Sequence, residues 1–275
     1  MTAGGRGGRW RVALRFAVIV VFLAPLAFMV TGSLRRTGIA PPEGLELVPR
    51  GAGLSSYGRI SDFVPLGRLT LNSLLVVAVA VPVTVVVASW AGFALAQLPR
   101  RTRRGLLAVV IGLLMVPLPM LWVARFVIYL RLGILNTMLP LMAPALAATT
   151  PFTVLLAYRS FARVPPELFQ MARLEGASAL RTWWSVGLPL VRATTTAIAA
   201  VAFTFHWGNY LDALLYTQTE DKRTLPLGVA ELAELDSGDL PIMLAGAVLL
   251  AVPAVLALLL VQRPLLSSVD LATDG

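Results

Sequence analysis

The chain contains no cysteine, a single histidine and only 14 acidic residues among 275. Without cysteine, structural disulfides, thiolate metal sites and thiol nucleophiles are all excluded. The lone histidine, His206, has no partners from which a metal cluster can be built, and no metal site is expected. Charged residues make up 13% of the chain and apolar ones 57%, a balance outside the range of soluble domains. Also missing are a phosphate-binding GxxxxGK[ST] loop, a glycine-rich dinucleotide fingerprint, HExxH and GxSxG. If this protein uses ATP, the ATPase is another chain.

What the chain has instead is long charge-free apolar runs. A helix needs roughly 20 residues to cross a hydrocarbon core of about 30 Å. Six runs meet that length, at 16–34, 69–99, 105–124, 132–158, 193–211 and 240–262. The second and fourth exceed a single span, leaving tilt, interfacial turns or an apolar loop for the surplus. Arg6, Arg9, Arg11 and Arg15 precede the first run as they would in a secretory signal. That run is too long for one and ends in "AFMVTGSLRR", without a small-residue cleavage pattern, so it reads as a retained first helix.

Arginine placement orients the spans. The N-terminal segment, the "RRTRR" turn at 100–104, the segment 159–192 and the tail after residue 262 hold 14 of the 23 basic and 4 of the 14 acidic residues. Those segments therefore carry a net +10 and the remaining loops a net −1. The positive-inside rule puts the arginine-rich side in the cytoplasm, with both termini there. Because these arginines flank spans and form no soluble basic domain, the +9 charge reflects topology and not nucleic-acid binding. The expected organisation is a cytoplasmic segment 1–15, a six-helix transmembrane domain 16–263 and a cytoplasmic tail 264–275.

Three stretches within the runs carry specific signals. In the second, Ala78, Ala80, Ala88, Ser89, Ala91 and Gly92 allow close helix approach. In the third, Pro117 and Pro119 in "MVPLPMLW" must kink or break the helix, as suits either packing or a water-lined pathway. The fifth ends in "FTFHWGNYLDALLY", which places Trp207, Asn209, Tyr210 and Asp212 towards the outer half of a helix. Polar groups there face either the bundle, as packing bonds, or a pathway.

Between the fourth and fifth runs lies "RVPPELFQMARLEGASALRTWWSVGLPL", assigned to the cytoplasmic side. Pro165 and Pro166 suit a helix start, and Glu167 favours the positive end of its dipole. Leu168, Met171 and Ala172 share a face at helical spacing, and Gly176 ends the helix or turns the chain. A second short helix follows, with Trp183 and Trp184 expected at the membrane interface and Pro189 before the fifth span. A helix, a glycine turn and a second helix make a rigid knob suited to a cleft in a partner.

At these residues the chain resembles the permease subunits of ATP-binding cassette importers, whose cytoplasmic signature is EAA, three residues, Gly, nine residues, then I-x-L-P. Gln170, Met171 and Ala172 fill the first triplet, Gly176 follows, and Val186, Gly187, Leu188 and Pro189 close the pattern. "RLGILNT", "VPPELFQMARLEGAS", "HWGNYLDALLY" and "TLPLGVAEL" resemble the carbohydrate permeases of the maltose-transporter type, and the likeness runs from about Asn72 to Arg263. It implies an all-helical type I importer fold in a prokaryotic cytoplasmic membrane, with segment 163–189 as the coupling loop. Implied partners are a second permease, two ATPase subunits that bind the ATP, and an extracellular solute-binding protein that delivers a sugar. The coupling residues so implied are Glu167, Gln170, Met171, Ala172, Glu175, Gly176, Leu188 and Pro189. This subunit would hold no cofactor itself.

Two positions depart from the pattern. Gln170 replaces the glutamate of the triplet and keeps a hydrogen bond at most, with Glu167 or Glu175 as alternative carriers of charge. Ala213 stands where proline is common, which implies a less kinked fifth helix. A non-sugar cargo such as a polyamine, phosphate or glycerol phosphate ester fits the same architecture, although few cations within the spans speak against an anion. An intramembrane enzyme would need convergent acid, base or nucleophile groups, and a non-transporting scaffold would leave the coupling pattern unused.

Overall fold

The computed structural model describes residues 6–38, 51–235 and 239–273, and every regular element among them is a helix. Four helical segments are long and apolar enough to cross a membrane: Leu14–Ser33, Leu66–Gln97, Leu139–Phe161 and Leu240–Leu259. Two further candidates are bent helix pairs, so the described chain has up to six spans. Residues 1–5, 39–50, 236–238 and 274–275 lie outside the described residues.

The chain forms two compact units. The first comprises residues up to Leu66 and Gly228–Val252. It holds α1 (Arg6–Ser33) and α2 (Ser55–Phe63). Ser33 anchors this unit, its Oγ donating to the Val30 carbonyl at 2.7 Å and lying 2.8 Å from the Tyr57 hydroxyl.

The second unit, Gly67–Leu227 with Pro253–Gly275, holds the long helix α3 (Leu66–Gln97) and its neighbours. The buried stripe of α3 includes Ala80, Thr84, Ala88, Ser89 and Gly92, while Ala78 is exposed and Ala91 half-buried. Small residues win this face because α7 (below) packs backbone to backbone against it. A Cβ built on Gly92 would lie 2.5 Å from the Ala157 Cβ and 2.6 Å from the Tyr158 amide nitrogen. Backbone cannot yield there, so Gly92→Ala should cost about 1–3 kcal/mol as overpacking. Heated detergent-solubilised protein should then lose its monodisperse peak at a lower temperature than the parent, and an unchanged midpoint would contradict this helix contact.

α4 (Arg100–Leu114) and α5 (Leu118–Arg131) follow, bent by 92° at the segment containing Pro117. Pro117 caps α5 with extended backbone and Pro119 sits in its first turn, where a missing N–H is harmless. The proline pair thus starts a new helix instead of kinking a continuous one. The fourth run is likewise interrupted: α6 (Leu139–Met142), a 3₁₀ turn over Ala143–Ala147, and α7 (Pro151–Phe161). Ala148 and Thr149 between them have φ of 58° and 62°, left-handed backbone that is costly for a β-branched residue.

The loop after α7 contains α8 (Pro166–Leu174), α9 (Ala179–Thr182), a π-turn at Trp183–Gly187 and α10 (Leu188–Leu190). An 89° bend then separates Ala179–Leu190 from α11 (Arg192–Trp207). The fifth run breaks again after Trp207, and α12 (Tyr210–Tyr216) starts afresh. The expected single helix through His206–Asp212 is therefore two helices. Gly208 ends the first, and the Asn209 side chain caps the second by accepting from the Asp212 amide at 3.1 Å. The interruption precedes Ala213, which is fully buried against Val76, Leu141 and Leu227, so the fifth run is broken here without a proline. Finally come α13 (Leu225–Glu231) and α14 (Leu240–Thr273).

Candidate functional site

α8 begins as the sequence dictates. Pro165 is its N-cap, Pro166 opens the first turn, Glu167 lies at the positive end and Arg173 at the negative end. It ends in a Schellman turn: the Gly176 amide donates to the Arg173 carbonyl at 3.0 Å and the Ala177 amide to the Ala172 carbonyl at 3.0 Å. The turn requires Gly176 at φ 79°, a conformation only glycine adopts freely. Ser178 then caps α9, its side chain accepting from the Arg181 amide.

Phe169 and Ala172 form the buried face of α8, whereas Leu168 and Met171 are exposed. Of the face shared by Leu168, Met171 and Ala172, only Ala172 is buried, because Phe169 offers the larger apolar ring to the bundle and sets which side of α8 packs. Phe169 meets Phe93 edge-on at 5.5 Å, and Phe93 meets Phe161 at the same distance. Trp183 joins them through Trp90, at 5.2 Å and 90°. Trp183 is thus a core residue at 4% exposure and not an interfacial anchor. Only Trp184, at 63%, is open to its surroundings. Val191 closes the buried cluster, and Leu188 packs against it.

The loop is therefore two-faced. Its inner face is bolted to α3 and α7 by aromatic edges, each pair worth about 0.5–1.5 kcal/mol beyond area burial. Its outer face presents Leu168, Met171, Leu174, Leu180 and Trp184, all exposed, with Leu174 at 88%. Glu167, Gln170, Glu175, Gly176 and Pro189 are exposed too. Among the eight loop residues expected to couple, the structure gathers all but Ala172 and Leu188 at the open surface.

The other expected residues lie at the α11–α12 break. Trp207 is buried and stacks on Phe203 at 5.6 Å and 10°. Asn209 and Asp212 bond to one another twice, the Asn209 Nδ2 donating to Asp212 Oδ2 at 2.9 Å besides the capping contact. Tyr210, at 36%, is the exposed ring of the group.

Arg125 completes this arrangement, and sequence reasoning assigned it no role. Its guanidinium donates to Asp212 Oδ2 at 3.1 Å and lies 5.9 Å and 5.5 Å from the centres of the Tyr129 and Tyr216 rings. Those rings meet edge to face at 5.1 Å, and the Tyr216 hydroxyl donates to the Trp122 carbonyl. Asp212 and Arg125 are 87 positions apart, so spacing carries no signal of the pair. Asn136 is a second anchor: at φ 60°, its Oδ1 accepts from the Gln218 and Thr219 amides and from the Thr219 hydroxyl. From the other side, Asn72 donates to the Asp221 and Arg223 carbonyls, and Ser73 accepts from the Leu225 amide.

His206 is buried in a separate polar chain. Its Nδ1 lies 3.1 Å from the Leu141 carbonyl, which can only accept, so Nδ1 is the donor. Nε2 lies 3.0 Å from the Thr149 hydroxyl, and that hydroxyl is 2.6 Å from the Thr84 hydroxyl. The chain holds the left-handed Ala148–Thr149 junction in place. No group of three or more metal-ligating side chains occurs among the described residues.

Comparison with known proteins bears on this geometry. Residues 84–263 match the family model of the binding-protein-dependent transport system inner membrane component. The arabinooligosaccharides transport system permease protein AraQ of Halalkalibacterium halodurans is 28% identical over 259 residues, covering 92% of each chain. The lactose transport system permease protein LacG of Rhizobium radiobacter is 27% identical over 214 residues, 77% of this chain and 78% of the relative. A chain in the crystal structure of a bacterial ABC transporter involved in the import of the acidic polysaccharide alginate superposes with a TM-score of 0.81 at 19% identity, over 96% of this chain and 98% of that one. That likeness establishes the shared fold.

Proposed function

Because the chain belongs to the family of binding-protein-dependent transport system inner membrane components, we propose that it is a permease subunit of an ATP-driven importer that moves a sugar or oligosaccharide inward. The observation that carries this reading is the two-faced loop 163–189. A partner ATPase that closes on nucleotide binds the exposed apolar face, and the aromatic cluster of Phe93, Phe161, Phe169 and Trp183 passes its movement to α3 and α7. Packed aromatic edges transmit displacement because a close-packed core resists compression. The outcome is rigid-body rotation of the spans and alternating access.

In this reading the chain is N-in and C-in with six spans, each bent pair counting as one. Exposed Gln170 offers the ATPase an amide, and Glu167 and Glu175 supply the negative charge at either end of α8. A second permease completes the pathway, two ATPase subunits bind the ATP, and an extracellular solute-binding protein delivers the cargo. Trp207, Asn209, Tyr210 and Asp212 form the pathway wall on this subunit, with Tyr210 as the exposed ring for a pyranose face and the Arg125–Asp212 pair holding that wall in shape. The relatives named for arabinooligosaccharide and lactose transport support a carbohydrate cargo.

The absence of native cysteine makes topology directly measurable. Single cysteines at Glu175 and Thr219 should label from opposite sides: in intact cells an impermeant maleimide reaches Thr219→Cys alone. Equal labelling of both would contradict the orientation. For cargo, cells lacking this chain should lose ATP-dependent uptake of a labelled oligosaccharide and keep uptake of polyamines and glycerol phosphate esters; loss of one of those instead would reassign the substrate.

A further inference from the structure

A cavity of about 330 Å³ opens where the ends of α3, α4, α7 and α8 meet. Its apolar floor includes Phe161 and Phe169, and its polar lining comprises Gln97, Arg103, Gln170 and Arg173. No acidic side chain lines it. Among the described residues neither arginine has an ion pair or a side-chain hydrogen bond. The first turn of α4, which carries Arg103, contains no acidic residue, so the positive end of its dipole is uncompensated by its own sequence. Two free guanidiniums and two amides line one recess with an oily base.

From this, the geometry points to a binding site for the phosphate headgroup of an anionic phospholipid from the inner leaflet. Depth supports it. One turn beyond Arg103 the exposed side chains of α4 become apolar, at Leu106, Val109, Ile111 and Leu113, which sets Arg103 at headgroup level where the helix enters the membrane. Guanidinium forks match phosphate oxygens, and basic pockets between spans on the cytoplasmic side select anionic headgroups. Size and lining favour a lipid over an acidic side chain of the ATPase. A single carboxylate leaves most of the volume empty, whereas a phosphodiester with its glycerol is closer to it in size, with Phe161 and Phe169 at hand for the adjoining carbons. The inference rests on the N-in orientation proposed above, which cysteine labelling tests independently. Because α8 forms one wall, a bound lipid ties the coupling loop to the membrane surface.

Native mass spectrometry of the purified full chain, titrated with phosphatidylglycerol and with phosphatidylcholine of matched acyl chains, tests the site. Retention of phosphatidylglycerol should exceed that of phosphatidylcholine, and R103Q/R173Q should weaken it by about tenfold or more, as expected for the loss of charge-assisted hydrogen bonds. The lysine pair R103K/R173K should recover part of the preference. R100Q/R101Q removes two arginines from the same helix start outside the cavity lining and should leave binding within about twofold; arginines at exposed interfacial sites contribute little specificity. An equal drop in R100Q/R101Q would mean a diffuse charge effect and overturn the site. So would an unchanged preference in R103Q/R173Q, adducts of inorganic phosphate without phosphatidylglycerol, or loss of ATPase co-purification from R103Q/R173Q with lipid retention intact, which would make the cleft a protein dock.

Discussion

Asp212→Ala is expected to destabilise the folded chain by about 3–5 kcal/mol, the usual cost of stranding one half of a buried ion pair. The Asp212 side chain is 4% exposed and that of Arg125 is 18%, so the guanidinium left behind stays walled between two tyrosine rings with its charge uncompensated. The same substitution also removes the acceptor of the Asn209 amide. Asp212→Asn, which preserves shape and hydrogen bonding but not charge, should lose less. Adding Arg125→Leu to Asp212→Ala should recover stability, because replacing both partners by apolar groups abolishes the stranded charge. Size-exclusion profiles of heated, detergent-solubilised protein would report the order. If the double variant were as unstable as the two single losses combined, the pair would not be coupled as its 3.1 Å contact implies.

Gly176→Leu should reduce uptake by about tenfold or more while membrane insertion stays normal. Two effects add up. A non-glycine residue at φ 79° pays about 1–2 kcal/mol of backbone strain, which opens the Schellman turn. Nothing lies within 4 Å of the position a Cβ would occupy, so the new side chain projects into the space assigned to the ATPase. Gly176→Asn separates these causes, since asparagine tolerates left-handed backbone but still adds bulk. Uptake retained by Asn and lost by Leu identifies backbone strain at the turn as the cause; loss in both points to a cleft that admits only hydrogen at that spot. Normal uptake and normal ATPase co-purification in Gly176→Leu would remove the docking role altogether.

Much of this organisation was legible from local chemistry. Apolar length located the long apolar helices, Pro117 and Pro119 marked a kink or break, Pro165 and Pro166 the α8 start, and Gly176 a turn that needs left-handed backbone. Features set by tertiary partners were not legible. Neither alanine nor threonine prefers positive φ, so the break at Ala148–Thr149 exists because Thr84 and His206 hold it. Trp183 and Trp184 are adjacent and point to different sides of a helix, so one had to be buried; the aromatic cluster on α3 and α7 decided which. Which side of α8 is buried was not legible for the same reason, since Phe169 has a partner in Phe93 that its own helix could not reveal. Arg125 looked like one more loop arginine until Asp212, 87 residues away, was found beside it.

As proposed above, this chain carries solute using energy delivered by other subunits through loop 163–189. Reconstitution tests it most directly: the purified assembly in proteoliposomes, with the solute-binding protein on the outside, labelled oligosaccharide added there, and ATP enclosed. Accumulation should require ATP and this chain together, and should collapse when the parent subunit is replaced by Gly176→Leu. Accumulation of equal rate without ATP, or with this subunit left out, would contradict the claim.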